Sequence, residues 1–151
     1  ATAWSQATCG SLHTCALTTS AALYCWGAND SGQLGDGSTT DQAAPQPIGT
    51  GMSWSNISAG GSHSCGVRAS GDLDCWGANG SGQLGDGTTD DKLSPVRVGT
   101  ASDWEAVSCG IEHSCALKAN GMLYCFGDNV NGQVGDGTTT DQGDPVVVQT
   151  Y

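Results

Sequence analysis

The chain has 151 residues, with 24 Gly, 8 Cys, a single Phe and a formal net charge of −11. Lys and Arg total only 4, which argues against nucleic acid and against anionic membrane as partners, because both attract basic surfaces. The hydrophobic content of 37% is gathered into short runs, none long enough to span a bilayer as a helix, so the composition is that of a folded, Gly-rich β protein.

Three units follow one another, residues 1–50, 51–100 and 101–151. Trp4, Trp54 and Trp104 recur at a period of 50, as do His13, His63 and His113, and Asp36, Asp86 and Asp136. A repeat of this length marks a solenoid, a propeller or an array, so function has to be argued for a unit and not for a single active site. The chain opens on Ala1 with no visible leader, as a processed or excerpted segment would, and Tyr151 stands where a fourth unit would begin.

Within each unit the predicted elements are clearest in the second. An inner strand is expected around Trp54–Ala59, a second through Cys65–Arg68 and a third through Leu73–Trp76. A long loop over Gly77–Ser94 then leads to an outer strand around Pro95–Val98. The second and third strands flank Ser70-Gly71, with Asn120-Gly121 as counterpart in the last unit, and Gly after Ser or Asn is a hairpin signal. No stretch carries a 3.6-residue apolar period, so helix is not expected.

In this hairpin Cys65 falls opposite Cys75 and Val67 opposite Leu73. The same register pairs Cys15 with Cys25 and Cys115 with Cys125. Three cross-strand disulfides are therefore expected, the alternative being six thiols packed as small apolar groups. Disulfides place the chain outside the reducing cytosol, extracellular or at a cell surface.

The stretch WSNISAGGSHSCGV followed by GANGSGQLGDGTTDDKLSPVRV resembles the regulator of chromosome condensation (RCC1) repeat, in its disulfide-containing, extracellular bacterial form. The resemblance covers all three units. It implies an all-β fold of β-propeller blades, one four-stranded antiparallel sheet per 50-residue repeat, three blades in this chain. Members of that family include a nucleotide exchange factor for a small GTPase, a plant ultraviolet-B photoreceptor and secreted β-lactamase inhibitors, so the fold leaves function open. Three blades do not close a propeller. Either several chains complete one ring, or the blades belong to a longer array, or they continue from chain to chain as a filament.

Cys9 and Cys109 lie outside the hairpins at one phase of the repeat, where the second unit has Ala59. In a ring of two chains they would meet across the seam, so an intermolecular Cys9–Cys109 disulfide is one expectation. Two free thiols, or a bond within the chain across a narrow shaft, are the others.

The loop carboxylates Asp36 and Asp41, Asp86 and Asp91, and Asp136 and Asp141 recur five apart among Gly and Thr. Oxygen ligands on such a loop suit a hard cation such as Ca2+, although the spacing is not that of an EF-hand and turn chemistry explains it more simply. No other cofactor is implied.

His13, His63 and His113 resemble the structural histidine of the family, which ties neighbouring strands or blades. Neither zinc nor catalysis is expected of them, since no convergent ligand set or acid, base and nucleophile set is specified. Trp26, Trp76 and Phe126 are expected to face the neighbouring blade. Asn29, Asn56 and Asn79 each head a glycosylation sequon. The reading that unites these features is a non-catalytic extracellular module that assembles with copies of itself. The alternative is a binding module, an adhesin, lectin-like domain or protein inhibitor, that uses its loop face on a protein or glycan.

Overall fold

The computed structural model describes residues 2–150; the Tyr151 that would open a fourth unit lies outside them. Twelve strands form three four-stranded antiparallel sheets in strict chain order. Blade 1 holds β1 (Trp4–Cys9), β2 (His13–Thr18), β3 (Leu23–Gly27) and β4 (Gln42–Ile48). Blade 2 holds β5 (Trp54–Ala59), β6 (His63–Arg68), β7 (Leu73–Gly77) and β8 (Lys92–Arg97). Blade 3 holds β9 (Trp104–Cys109), β10 (His113–Lys118), β11 (Leu123–Gly127) and β12 (Gln142–Val147).

The hairpin register is the expected one. Cys65 pairs with Cys75 and Val67 with Leu73, and the other blades repeat this. Disulfides join Cys15 to Cys25, Cys65 to Cys75 and Cys115 to Cys125. Each staples the two central strands of its sheet, and in blades 1 and 2 its sulfurs lie on the face that packs against the following blade.

The outer strands begin earlier than Pro95 suggests. β8 already pairs Lys92 with Gly77, then shifts register before Val96 meets Cys75. Proline has no N–H to give a ladder and is tolerated where one side of the strand is open. Pro45, Pro47, Pro95 and Pro145 all lie on the outermost strands β4, β8 and β12.

The core lies between blades. Cys15, Leu17, Leu23, Cys25, Leu34 and Ile48 of blade 1 pack against Trp54, Ile57 and Trp76 of blade 2. The second seam repeats the first, with Cys65, Val67, Leu73, Leu84 and Val98 against Trp104, Val107 and Phe126. Every blade thus has two unlike faces, one carrying the disulfide and aliphatic side chains, the other carrying aromatics.

One turn departs from its repeats. Gly71 and Gly121 take φ of 85° and 83° in the β6–β7 and β10–β11 hairpins, whereas the β2–β3 hairpin puts Ala21 there at φ 64°. A Cβ in that region is disfavoured by about 1–2 kcal/mol. The turn is held by Thr18, whose hydroxyl accepts the Ala22 N–H at 3.1 Å. Ala21→Gly is expected to stabilise the chain by roughly 0.5–1 kcal/mol in urea unfolding, because the relieved strain outweighs the entropy glycine adds to the unfolded state. A loss of stability would show that the turn is not strained.

Candidate functional site

The seam between blades is the part of this molecule built with most chemical detail. At the first seam His13 Nε2 lies 2.8 Å from Ser64 Oγ, and Ser64 Oγ donates to the Gln33 carbonyl at 2.8 Å. At the second seam His63 Nε2 lies 2.8 Å from Ser114 Oγ, which donates to the Gln83 carbonyl at 2.9 Å. Because the hydroxyl proton goes to the carbonyl, the serine must accept from the ring, which fixes the Nε2–H tautomer. Two groups of one blade therefore grip a hydroxyl of the next.

Local structure places each part. The histidine opens the second strand of its blade, directly over a glycine of the preceding turn. A Cβ on Gly60 would stand 2.4 Å from the His63 ring and 2.4 Å from the Gly110 carbonyl, so only glycine admits both the imidazole and the neighbouring blade. The glutamine lies in the Gly-Gln-Leu-Gly loop, whose second glycine covers an aromatic ring of the next blade. Gly35 sits on Trp76 with room for nothing larger, and Gly85 sits on Phe126 in the same way. Trp76 Nε1 adds a bond to the Gln33 carbonyl at 3.0 Å, which Phe126 cannot repeat.

The Ser–His pairs have the spacing of a catalytic dyad and none of its other features. Ser64, Ser114, His13 and His63 are buried, and Nδ1 of His13 and His63 has no partner that would orient the ring. His63 and Cys109 also converge with Cys65, their ligand atoms within 4.8 Å of one another. Cys65 is bonded to Cys75 and His63 Nε2 is taken by Ser114, so these three do not make a zinc site.

Cys9 is exposed and Cys109 half-buried, both lining an open cleft of about 310 Å³ with Gly10, Gly60 and Gly110. Cys109 Sγ donates to the Ser58 carbonyl at 3.5 Å and lies 3.8 Å from Ser114 Oγ, which sets it on the blade 2 side of β9. Burial pushes its thiol up to about 11, so it is not a nucleophile near neutrality.

The loop carboxylates are spent on the loop itself. Asp36 Oδ1 accepts from Asn29 Nδ2, the Ser38 N–H and the Ser38 hydroxyl, and Asp41 Oδ1 accepts the Asn29 N–H at 2.9 Å. Asp86 with Asp91 and Asp136 with Asp141 repeat the pattern around Asn79 and Asn129. Burial would raise the Asp36 and Asp86 carboxyls, but the hydrogen bonds from Ser38 or Thr88 and from the asparagine outweigh it and hold both below the ordinary range.

This corrects the sequon reading at two positions. Asn29 and Asn79 are fully buried, and their Nδ2 atoms, the ones a glycan would occupy, are the centre of the loop. Asn56 is half-buried, and its Oδ1 accepts the Val107 N–H across a seam at 2.9 Å. The signal was available: Asn129 keeps the 50-residue period although Asn129-Val130-Asn131 is no sequon. Ser64, Ser114 and the glutamine carbonyls also escaped notice, as did buried Asp74, which pairs with Arg68 in the middle blade alone.

Burial lowers His13 to about 4 and His63 to about 3, the latter helped by its neighbours His13 and His113. The folded state holds both rings neutral, while the unfolded chain takes up protons below about 6.5. Stability is therefore full above that pH and declines as the pH falls toward 4, by on the order of 3 kcal/mol per histidine. Thermal unfolding followed from pH 7 to pH 4 should show this decline, and His63→Gln should reduce it by roughly half, leaving the His13 share. An unchanged slope in the variant would refute the assignment.

Models of the RCC1 repeat match residues 20–67 and 70–117, and a second model of the same repeat matches 4–33, 54–83 and 104–133. Among solved structures, the chain is similar to yeast RCC1 (Prp20) in its complex with Kap60, with TM-score 0.86, 21% identity, and coverage of 98% of this chain and 37% of that one. It is similar to Prp20p of Saccharomyces cerevisiae, reported with its binding properties to Gsp1p and histones, with TM-score 0.84, 23% identity and coverage of 98% and 39%. Human WBSCR16 follows with TM-score 0.64, 20% identity and coverage of 97% and 53%. The chain thus spans less than two fifths of the two yeast structures. Its repeats, and the blades they fold into, make it a member of the regulator of chromosome condensation (RCC1) repeat family.

Proposed function

We propose that this chain is a non-catalytic, extracellular propeller module that associates head to tail with copies of itself. One observation supports the reading: within residues 2–150 the interface used twice between blades has one further half exposed on blade 1 and the other exposed on blade 3. Trp54 and Trp104 are 2% and 6% exposed, whereas Trp4, their counterpart on blade 1, is 45% exposed. Leu23 and Leu73 are 1% and 0% exposed, whereas Leu123 on blade 3 is 40% exposed. The open ends are unlike and complementary, an aromatic face and a disulfide face, so contact between them is head to tail. Whether such contacts close into a ring or extend as a filament depends on the rotation between blades, which electron micrographs of the assembled chain would read directly.

Three disulfides support an oxidising, extracellular setting. The charge of −11 sets copies against one another, so association should strengthen with added salt as well as with concentration. A second reading, a binding module for a protein or glycan, is favoured by Leu12, Ile111 and Val130, which stand 76%, 75% and 64% exposed in the connecting loops. The exchange and chromatin functions found elsewhere in the family are not carried over, given the acidity of this chain.

Sedimentation velocity across a wide concentration range tests the first reading. The wild-type chain should show mass growing with concentration, and Leu123→Glu should weaken association by about ten-fold or more, because it buries a charge in an apolar seam. A lone 15.2 kDa species at every concentration would remove the reading.

We propose further that the Asp loops hold their shape without a cation, since Asn29, Asn79 and Asn129 already bridge each carboxylate pair. Excess calcium should then leave Tm within about one degree of its calcium-free value, whereas a larger rise would establish a binding site.

A further inference from the structure

The two internal seams are specific enough to describe the seam a second copy would make. At each, a hydroxyl at one fixed phase of the repeat enters between a histidine and a glutamine carbonyl of the preceding blade. Thr14 holds that phase on blade 1 and has no preceding blade within residues 2–150. On blade 3, His113 and Gln133 border a cleft of about 350 Å³ with Ile111, Glu112, Asp128 and Asn131. A second groove on the same blade, of about 140 Å³, runs along Val107, Cys115, Leu117 and Leu123.

We propose that in the assembled protein Thr14 of one copy enters the His113–Gln133 cleft of the next, repeating the clasp of the internal seams. This rests on the head-to-tail reading and adds the residue that keys it. Three further correspondences agree. Gly35 and Gly85 each lie against an aromatic ring of the following blade, while Gly135 has Val148 of its own blade at 3.1 Å and the Gln149 N–H on its carbonyl at 3.0 Å, with no aromatic ring in the place that Trp26 of the next copy would take. Trp26 also brings the indole N–H that Trp76 donates to Gln33 and that Phe126 lacks. Ser58 Oγ accepts the Cys109 N–H at 2.9 Å, and Ser108 presents the same hydroxyl to the Cys9 N–H of the incoming copy.

The joint is weaker than the internal seams in two respects. Ala106 stands where Asn56 receives the Val107 N–H, and Ala7 stands where Ile57 and Val107 fill the core. The asymmetry gives a contact that forms and dissolves with concentration while each chain stays folded.

The same geometry bears on the cysteines. Cys9 of the incoming copy takes the seat that Cys109 occupies on blade 2, its thiol toward the Ser108 carbonyl. A Cys9–Cys109 disulfide would require Cys109 Sγ to leave both Ser58 and Ser114. The joint is therefore non-covalent, and Cys9, exposed in the single chain, becomes shielded on assembly.

The test compares Thr14→Val, which keeps shape and strand propensity and removes the hydroxyl, with Thr14→Ser, by sedimentation velocity and by maleimide labelling of Cys9. The serine variant should associate within about two-fold of wild type and the valine variant about ten-fold or more weakly, since a buried donor and carbonyl lose their partner. Labelling of Cys9 should fall as wild-type chains assemble, with monomer-sized bands on non-reducing electrophoresis. Wild-type association that Thr14→Val leaves untouched, or a reductant-sensitive dimer band, would overturn the clasp and leave head-to-tail assembly standing. A wild-type chain that stays monomeric with Cys9 reactive at all concentrations would overturn both and assign the open faces to blades of another kind.

Discussion

A hydroxyl gripped between an imidazole and a backbone carbonyl is the interaction on which the arrangement of the blades depends. Each sheet is apolar on both faces, so burial alone would let blades slide and rotate over one another. The clasp fixes them. It supplies directional bonds at one depth of the seam, in surroundings where an unmet donor or acceptor is costly. The glycines beneath the histidines set how closely the inner strands approach, and the glycine of the Gly-Gln-Leu-Gly loop sets how deeply the next aromatic ring enters. Position, depth and angle are thus fixed by three groups of small or polar residues, and the apolar core supplies the free energy.

A division of labour follows. The disulfides hold each hairpin internally and contribute nothing directional between blades. The asparagine hubs hold each long loop in shape, so that the Gly-Gln-Leu-Gly segment meets the next blade as a rigid surface. Blade 2, covered on both sides, buries Trp54, Trp76 and Leu73 almost completely. Within residues 2–150, blades 1 and 3 each present one exposed face of the same design.

Much of this was legible in the sequence because it is periodic. The 50-residue repeat, the opposed cysteines and the Ser-Gly and Asn-Gly turns gave three four-stranded sheets and their registers, since alternation along a strand leaves little freedom once one cross-strand pair is known. The tying role of the histidines followed from resemblance, but their partners did not. Ser64 lies 51 residues from His13, and nothing local marks it as the acceptor. The sequons misled at Asn29 and Asn79 because a three-residue motif carries no information on burial. The outer strand began earlier than Pro95 implied because a register shift lets an edge strand continue through a proline. The free cysteines were read from position alone, whereas the side-chain direction of Cys109 turns on contacts with Ser58 and Ser114 that only coordinates supply.

The proposed joint between copies is a third instance of the seam already present twice. Electron cryomicroscopy of the assembled chain tests this most directly. An uninterrupted succession of blades is expected, with blade 1 of one copy set on blade 3 of the next at the rotation and spacing that set blade 2 on blade 1. Assemblies held by the rims or outer strands, with Trp4 and Leu123 left in solvent, would contradict it.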